Sequence, residues 1–101
     1  MKVVFAERAR RDIGNIYDDI AQHNPGAAQR VEDTIRTRCE RLADFPYAAV
    51  ATDEPNVRRL PLVRYPYTIY YRIDAMRGLV EIARVIHAAR IKNLARLPQD
   101  D

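Results

Sequence analysis

Residues 56–90 read NVRRLPLVRYPYTIYYRIDAMRGLVEIARVIHAAR, and the fold turns on how this stretch is parsed. Pro66 opens a run in which Tyr67, Ile69, Tyr71 and Ile73 alternate with Thr68, Tyr70 and Arg72. A period of two puts the first set on a buried face and the second on a half-exposed one. Asp74 to Gly78 supplies a hairpin loop with its glycine. Leu79 to His87 is apolar on both faces except at Glu81, Arg84 and His87, which marks a strand inside a sheet rather than at its edge. Val57 to Leu60, bounded by Pro61, adds a short third strand. From Val57 to Arg96 the chain carries nine Lys/Arg and two acids, a local charge of +7, whereas the whole chain carries +3. The cationic character is therefore confined to this sheet, and the remainder of the chain is net acidic.

Upstream, Lys2 to Phe5 is a brief β-branched strand. Glu7 to Gln22 places Ala9, Ile13, Ile16, Tyr17 and Ile20 at helical spacing, with charged residues on the other face. Gly14 and the Asp18–Asp19 pair near the helix C-terminus both work against this helix, so packing of the apolar stripe has to outweigh them. His23-Asn24-Pro25 is a break: Asn24 is a good N-cap and Pro25 suits the first helical position. A second helix follows to about Asp44, with Ala28, Val31, Ile35, Cys39 and Leu42 on its stripe. Phe45-Pro46 ends it, and Tyr47 to Pro55 reads as a loop. Two amphipathic helices on so short a link form an antiparallel hairpin, and the hairpin needs a flat partner. The expected architecture is α+β, in the order β-α-α-β-β-β, with the hairpin on one face of a mainly antiparallel four-stranded sheet. The opposite face is left open. Ala88 to Leu97 reads as a final helical turn or tail. Residues 1–97 form one domain, and 98–101 form a short acidic tail.

With 101 residues and 48% hydrophobic content, the chain can bury one modest core. Arg outnumbers Lys 15 to 2, as suits gripping phosphate or carboxylate bidentately, although a GC-rich genome alone produces the same bias. A single cysteine excludes an internal disulfide and a Cys-based zinc site. No apolar run is long enough for a signal peptide or a membrane span, so the expected location is cytoplasmic and no membrane partner is expected.

Catalytic motifs are sparse. The three glycines form no phosphate loop. The two histidines have no partners at ligand spacing, so neither a metal nor a cofactor is expected. The chain contains no serine, which removes a Ser-His-Asp arrangement. Cys39 lies on an apolar helix stripe and reads as core rather than nucleophile. Tyr67, Tyr70 and Tyr71 could stack on bases, but strand tyrosines are more often core or rim residues. The basic set Arg58, Arg59, Arg72, Arg84, His87 and Arg90 comes from three strands and the segment after them. On one open face it would attract an anion, either nucleic acid or an acidic protein segment.

The order of these segments resembles a known family. AERARRDIGNIYDDIAQHNPGAAQRVEDTI is followed by CERLADFP, VRRLPLVRYPYTIYYRID and VEIARVIHAAR. Together they resemble the ParE/RelE superfamily of toxins from bacterial type II toxin–antitoxin modules, on the ParE side, over about Val3 to Arg90. The resemblance implies the β-α-α-β-β-β fold and a cognate antitoxin, ParD-like with an acidic C-terminal segment. It also implies one of two targets, DNA gyrase for ParE-type members or ribosome-bound mRNA for RelE-type members. RelE-type cleavage, which uses no metal, wants an arginine just after His87 and a tyrosine further on. Those places hold Ala88 and Leu94, and the tail after Arg90 has no tyrosine or histidine. A gyrase poison that is not an enzyme is therefore the expected reading. A ribosome-dependent mRNA endoribonuclease using Arg59, Arg84, His87 and Arg90 is the alternative, and a toxin fold retained only for repression is a third possibility. The target-binding set is expected to be the six basic residues named above. The antitoxin is expected to cover Ile13, Ile16, Tyr17, Ile20, Val31 and Ile35 on the helical hairpin.

Overall fold

The structure, a computed structural model, describes residues 1–95. Strand β1 (Lys2–Phe5) leads into helices α1 (Glu7–Ala21) and α2 (Pro25–Arg41). Strands β2 (Val50–Ala51), β3 (Val57–Pro61), β4 (Tyr67–Asp74) and β5 (Leu79–His87) follow, and α3 (Ala88–Ala95) runs on from β5. The acidic tail expected at 98–101 lies outside the described residues.

Asn24 caps α2 as its position implies: its side-chain oxygen accepts from the Ala27 N–H at 3.0 Å, with Pro25 in the first turn. Helix α1 has no side-chain cap at Ala6. The Ala6 N–H instead donates to the Ile82 carbonyl at 2.9 Å, so the ladder between β1 and β5 runs to the point where the chain turns into the helix. The helix stripes read from spacing are the buried ones: Ala9 and Ile13 on α1, and Ala28, Val31, Ile35 and Cys39 on α2.

The sheet order is β1-β5-β4-β3-β2, with β1 parallel to β5 and the other neighbours antiparallel. Strand β5 is thus flanked on both sides, as its apolar character on both faces requires. The sheet has five strands rather than the expected four. The extra strand, β2, falls inside the segment expected to be loop, and its pairing is Val50 with Arg59 and Ala51 with Arg58. Two residues are too few to carry an alternating pattern, so nothing in the sequence announces it. Two turn residues adopt positive φ, Gly78 at 65° and Asn56 at 64°. Glycine does so freely, and asparagine tolerates it better than most residues.

Ile69, Tyr71 and Ile73 of β4, with Val80, Ile82 and Val85 of β5, pack against both helices in one core. Cys39 lies within that core, and burial pushes its thiol from 9.0 up to about 12. The folded chain therefore keeps a proton that the unfolded chain loses near pH 9. For a group whose pKa is raised on folding, the stabilisation is complete below the unfolded pKa and is lost as pH climbs towards the folded one. We expect the urea midpoint to fall as pH rises from about 9 towards 12, and to fall less steeply in Cys39→Ala. Burial also raises the phenols of Tyr67 and Tyr71, so a residual alkaline slope should persist in that variant.

Candidate functional site: a basic sheet and the cleft at its end

The register decides where each predicted basic residue goes. Arg59 lies directly opposite Tyr70, and Arg72 lies between Val57 and Glu81. Tyr70 and Arg72 alternate with the buried Tyr71 and Ile73, so Arg59 and Arg72 stand on the open face, both exposed. Neither makes an ion pair within 4.0 Å among the described residues.

Arg58 is on the other side. It pairs with the buried Tyr71, and its guanidinium donates to the carbonyls of Tyr47 at 3.2 Å and Ala49 at 2.6 Å. It also lies 5.1 Å from the centroid of the Tyr47 ring, a cation–π contact. Arg58 thus fixes the chain between α2 and β2.

Arg84 departs furthest from expectation. Pairing steps from Tyr70–Arg84 to Tyr71–Ile82, so Ala83 is an extra residue in β5. Such a bulge bends the strand and re-aims the side chain beside it. The Arg84 guanidinium turns to Asp12 on α1 and donates through Nε at 2.8 Å and a terminal nitrogen at 3.2 Å. Asp12 also accepts the Val85 N–H at 2.9 Å. Strand β1 ends its pairing at Phe5–Ile82, so Asp12 takes over one ladder partner of β5 beyond that point. Hydrogen bonding to Asp12 raises the Arg84 pKa above its already high value, against a smaller opposing effect of burial.

His87 and Arg90 belong to a cleft of about 200 Å³ between α1 and the end of β5, with Asp12, Asn15, Asp19 and Tyr67 also on its walls. The His87 ring stands edge-on to Tyr67, with centroids 5.3 Å apart. Its Nδ1 accepts the Ala89 N–H at 3.0 Å, so in the neutral ring the proton sits on Nε2. Burial first, and the Asp19 carboxylate second, raise the Tyr67 phenol.

The six residues expected on one surface are therefore divided: Arg59 and Arg72 on the open face, Arg58 and Arg84 in structural contacts, His87 and Arg90 at the cleft. A bulge cannot be read from composition, and it defeats odd–even counting beyond Ala83. Asp12 and Asp19 read from the sequence as part of a solvated charged helix face, and Asn15 carries no signal of its own. Asp12 immediately precedes the buried Ile13, on the flank of the apolar stripe, and that was the available signal.

The residues expected to meet the antitoxin fall into two groups. Ile13, Val31 and Ile35 are buried in the core, and Ile16, Tyr17 and Ile20 are half-buried. Both helix stripes face the sheet, which is the flat partner the hairpin required, so little of that apolar surface is left for another chain. Among the described residues no group of three His, Cys, Asp or Glu could hold a metal ion, and no helix is long and apolar enough to cross a membrane.

Comparison with known proteins agrees with this architecture. A family model for the ParE toxin of the type II toxin–antitoxin system parDE matches residues 3–92. The chain is 42% identical over 92 residues to toxin RelE2 of Caulobacter vibrioides, covering 89% of this chain and 98% of that protein. Among solved structures, the chromosomal ParDE system of P. aeruginosa superposes with a TM-score of 0.74 at 23% identity, covering 86% of this chain and 95% of that one. The intact E. coli RelBE toxin–antitoxin complex superposes with a TM-score of 0.66 at 16% identity, covering 86% and 95%. With nearly its whole length matched in sequence and in topology, the chain belongs to the ParE toxin family of type II toxin–antitoxin systems.

Proposed function

We propose that this toxin arrests growth by docking on a protein target, DNA gyrase, rather than by cutting RNA, and that a cognate ParD-like antitoxin with an acidic segment neutralises it. The observation that carries the reading is the commitment of Arg84. A metal-free nuclease needs cations and a proton carrier converging on one phosphate to stabilise its developing charge. Here Arg84 is engaged with Asp12 and His87 accepts a backbone N–H, while Arg59 and Arg72 lie on the open face. Ala88 stands where RelE-type cleavage wants a further arginine. The open face presents Arg59 and Arg72, without ion-pair partners among the described residues, beside the half-buried Tyr70, a surface suited to binding an acidic or polar partner. The existence of an antitoxin is supported by the toxin–antitoxin systems among the superposed structures.

A second reading is favoured by one observation: a relative 42% identical carries the name RelE2. It makes the chain a ribosome-dependent mRNA endoribonuclease. Induction in cells without antitoxin separates the two. Under the docking reading, thymidine incorporation stops before methionine incorporation, and the double charge reversal Arg59→Glu/Arg72→Glu restores growth. Early loss of methionine incorporation, with site-specific cuts in cellular mRNA, would favour the nuclease.

A further inference from the structure

We infer that Asp12 sets the specificity of the open face. By holding the Arg84 guanidinium at the edge of β5, it leaves that face able to grip a carboxylate on a protein and unable to bind single-stranded nucleic acid. This deepens the docking reading above and rests on it. The register shows what is held back. Arg59 of β3 and Arg84 of β5 both lie opposite Tyr70 of β4. Neighbouring strands are about 4.8 Å apart, so the two arginine backbones stand roughly 10 Å apart with the tyrosine midway. In a bulge two residues oppose one. Here Ala83 and Arg84 lie between the core residues Ile82 and Val85 and share the position opposite Tyr70, whose side chain belongs to the open face.

A tyrosine between two arginines is an arrangement that suits single-stranded nucleic acid: the ring stacks a base while cations on either side take successive phosphates. Rotation about the side-chain bonds of Arg84 would complete that row without moving the backbone. Two observations show that the row is left incomplete. The first is the pair itself. Arg84 donates to Asp12 at 2.8 and 3.2 Å, both side chains are mostly shielded from solvent, and Asp12 is fixed in turn by the Val85 N–H at 2.9 Å. An arginine in a bidentate, charge-assisted pair is not free to follow a phosphate. The second is the next row along the sheet, which reads Val57, Arg72, Glu81. Strand β5 thus offers the open face a half-buried carboxylate rather than a cation.

The open face is therefore asymmetric. Its cations Arg59 and Arg72 stand on β3 and β4, on a diagonal across the strand pair, and its acid Glu81 stands on β5. Diagonal neighbours are roughly 7–8 Å apart, close enough for two guanidiniums to meet one carboxylate on a protein segment. A phosphate chain running on towards β5 meets Glu81 instead of Arg84. Placing an unfavourable charge against the wrong ligand is one of the two general routes to specificity. Asp12 touches no ligand and acts only through Arg84, so its part is that of a positioning residue.

The test is fluorescence anisotropy with a short labelled oligouridylate at low salt, on variants shown by circular dichroism to be folded. Asp12→Asn keeps an acceptor oxygen for the Val85 N–H and loses the charge that holds Arg84. It should bind the RNA about 10-fold more tightly than the wild type, with the slope of log affinity against log salt steeper by about 0.7, one phosphate contact more. Adding Arg84→Gln to Asp12→Asn should return both values to those of the wild type, which a loosened fold alone would not do. Arg84→Gln by itself should change neither. Wild-type affinity and slope in folded Asp12→Asn, or a gain that survives Arg84→Gln, overturns the role given to Asp12 and leaves the docking reading standing. RNA binding by the wild type that Arg84→Gln weakens overturns it as well, and that arm needs no Asp12 variant. The docking reading itself falls on a different result, site-specific cutting of mRNA by the wild-type chain.

Discussion

Replacing Asp12 with alanine is expected to lower the unfolding free energy by ~3 kcal/mol, a large share of the ~5–10 kcal/mol available to a domain of this size. The side chains of Arg84 and Asp12 are 22% and 13% exposed, so solvent screens this pair far less than a surface one. The loss has two parts. Arg84 is left without its bidentate partner, although as a long side chain it can swing partly into water. The Val85 N–H loses its acceptor at a sheet edge that β1 no longer covers, which by itself costs about 1–3 kcal/mol if the edge stays dry. Asp12→Asn keeps one acceptor oxygen and should lie between alanine and wild type. Because the Arg84 pKa is raised from an already very basic value, the sign of the linkage leaves the guanidinium's contribution constant through neutral and moderately alkaline pH. Urea titrations of the three proteins at neutral pH check the ranking. Equal midpoints would mean that the edge is held by packing alone.

Tyr71→Ala should cost ~4 kcal/mol, in the range for deleting a large buried aromatic. Tyr71 is 0% exposed and sits in the core shared by the sheet and both helices. Tyr71→Phe isolates the hydroxyl, whose bond to the Pro46 carbonyl is worth about 1 kcal/mol. Chemical denaturation of the pair separates packing from hydrogen bonding. A Phe variant as unstable as the Ala variant would show that the bond to Pro46, not the ring, holds this region.

These two residues show what the sequence makes legible and what it hides. Tyr71 is placed inside by simple alternation, because β4 alternates regularly from Ile69 to Ile73, although at its start Thr68 is buried and Tyr67 only half-buried. The two helices were legible for the same reason: their apolar steps are unbroken and Asn24-Pro25 punctuates them. The Asp12–Arg84 pair was not. Its members are 72 residues apart, and they meet because Ala83 interrupts the alternation of β5. Strand β2 was hidden because its two residues have no period. The local charge of the sheet was read correctly from the sequence, but its convergence on one face was not. Strand register sends Arg58 to the opposite side, the bulge re-aims Arg84, and the end of β5 takes His87 to the cleft.

Docking on a protein target rather than catalysis is the mode of action proposed for this toxin. It is tested most directly by adding the purified chain to DNA gyrase and measuring ATP-dependent supercoiling of a relaxed plasmid. Loss of supercoiling with accumulation of cleaved DNA is expected, both reversed by Arg59→Glu/Arg72→Glu. Unimpaired gyrase, together with site-specific cuts in mRNA when the same protein is added to a translating extract, would contradict it.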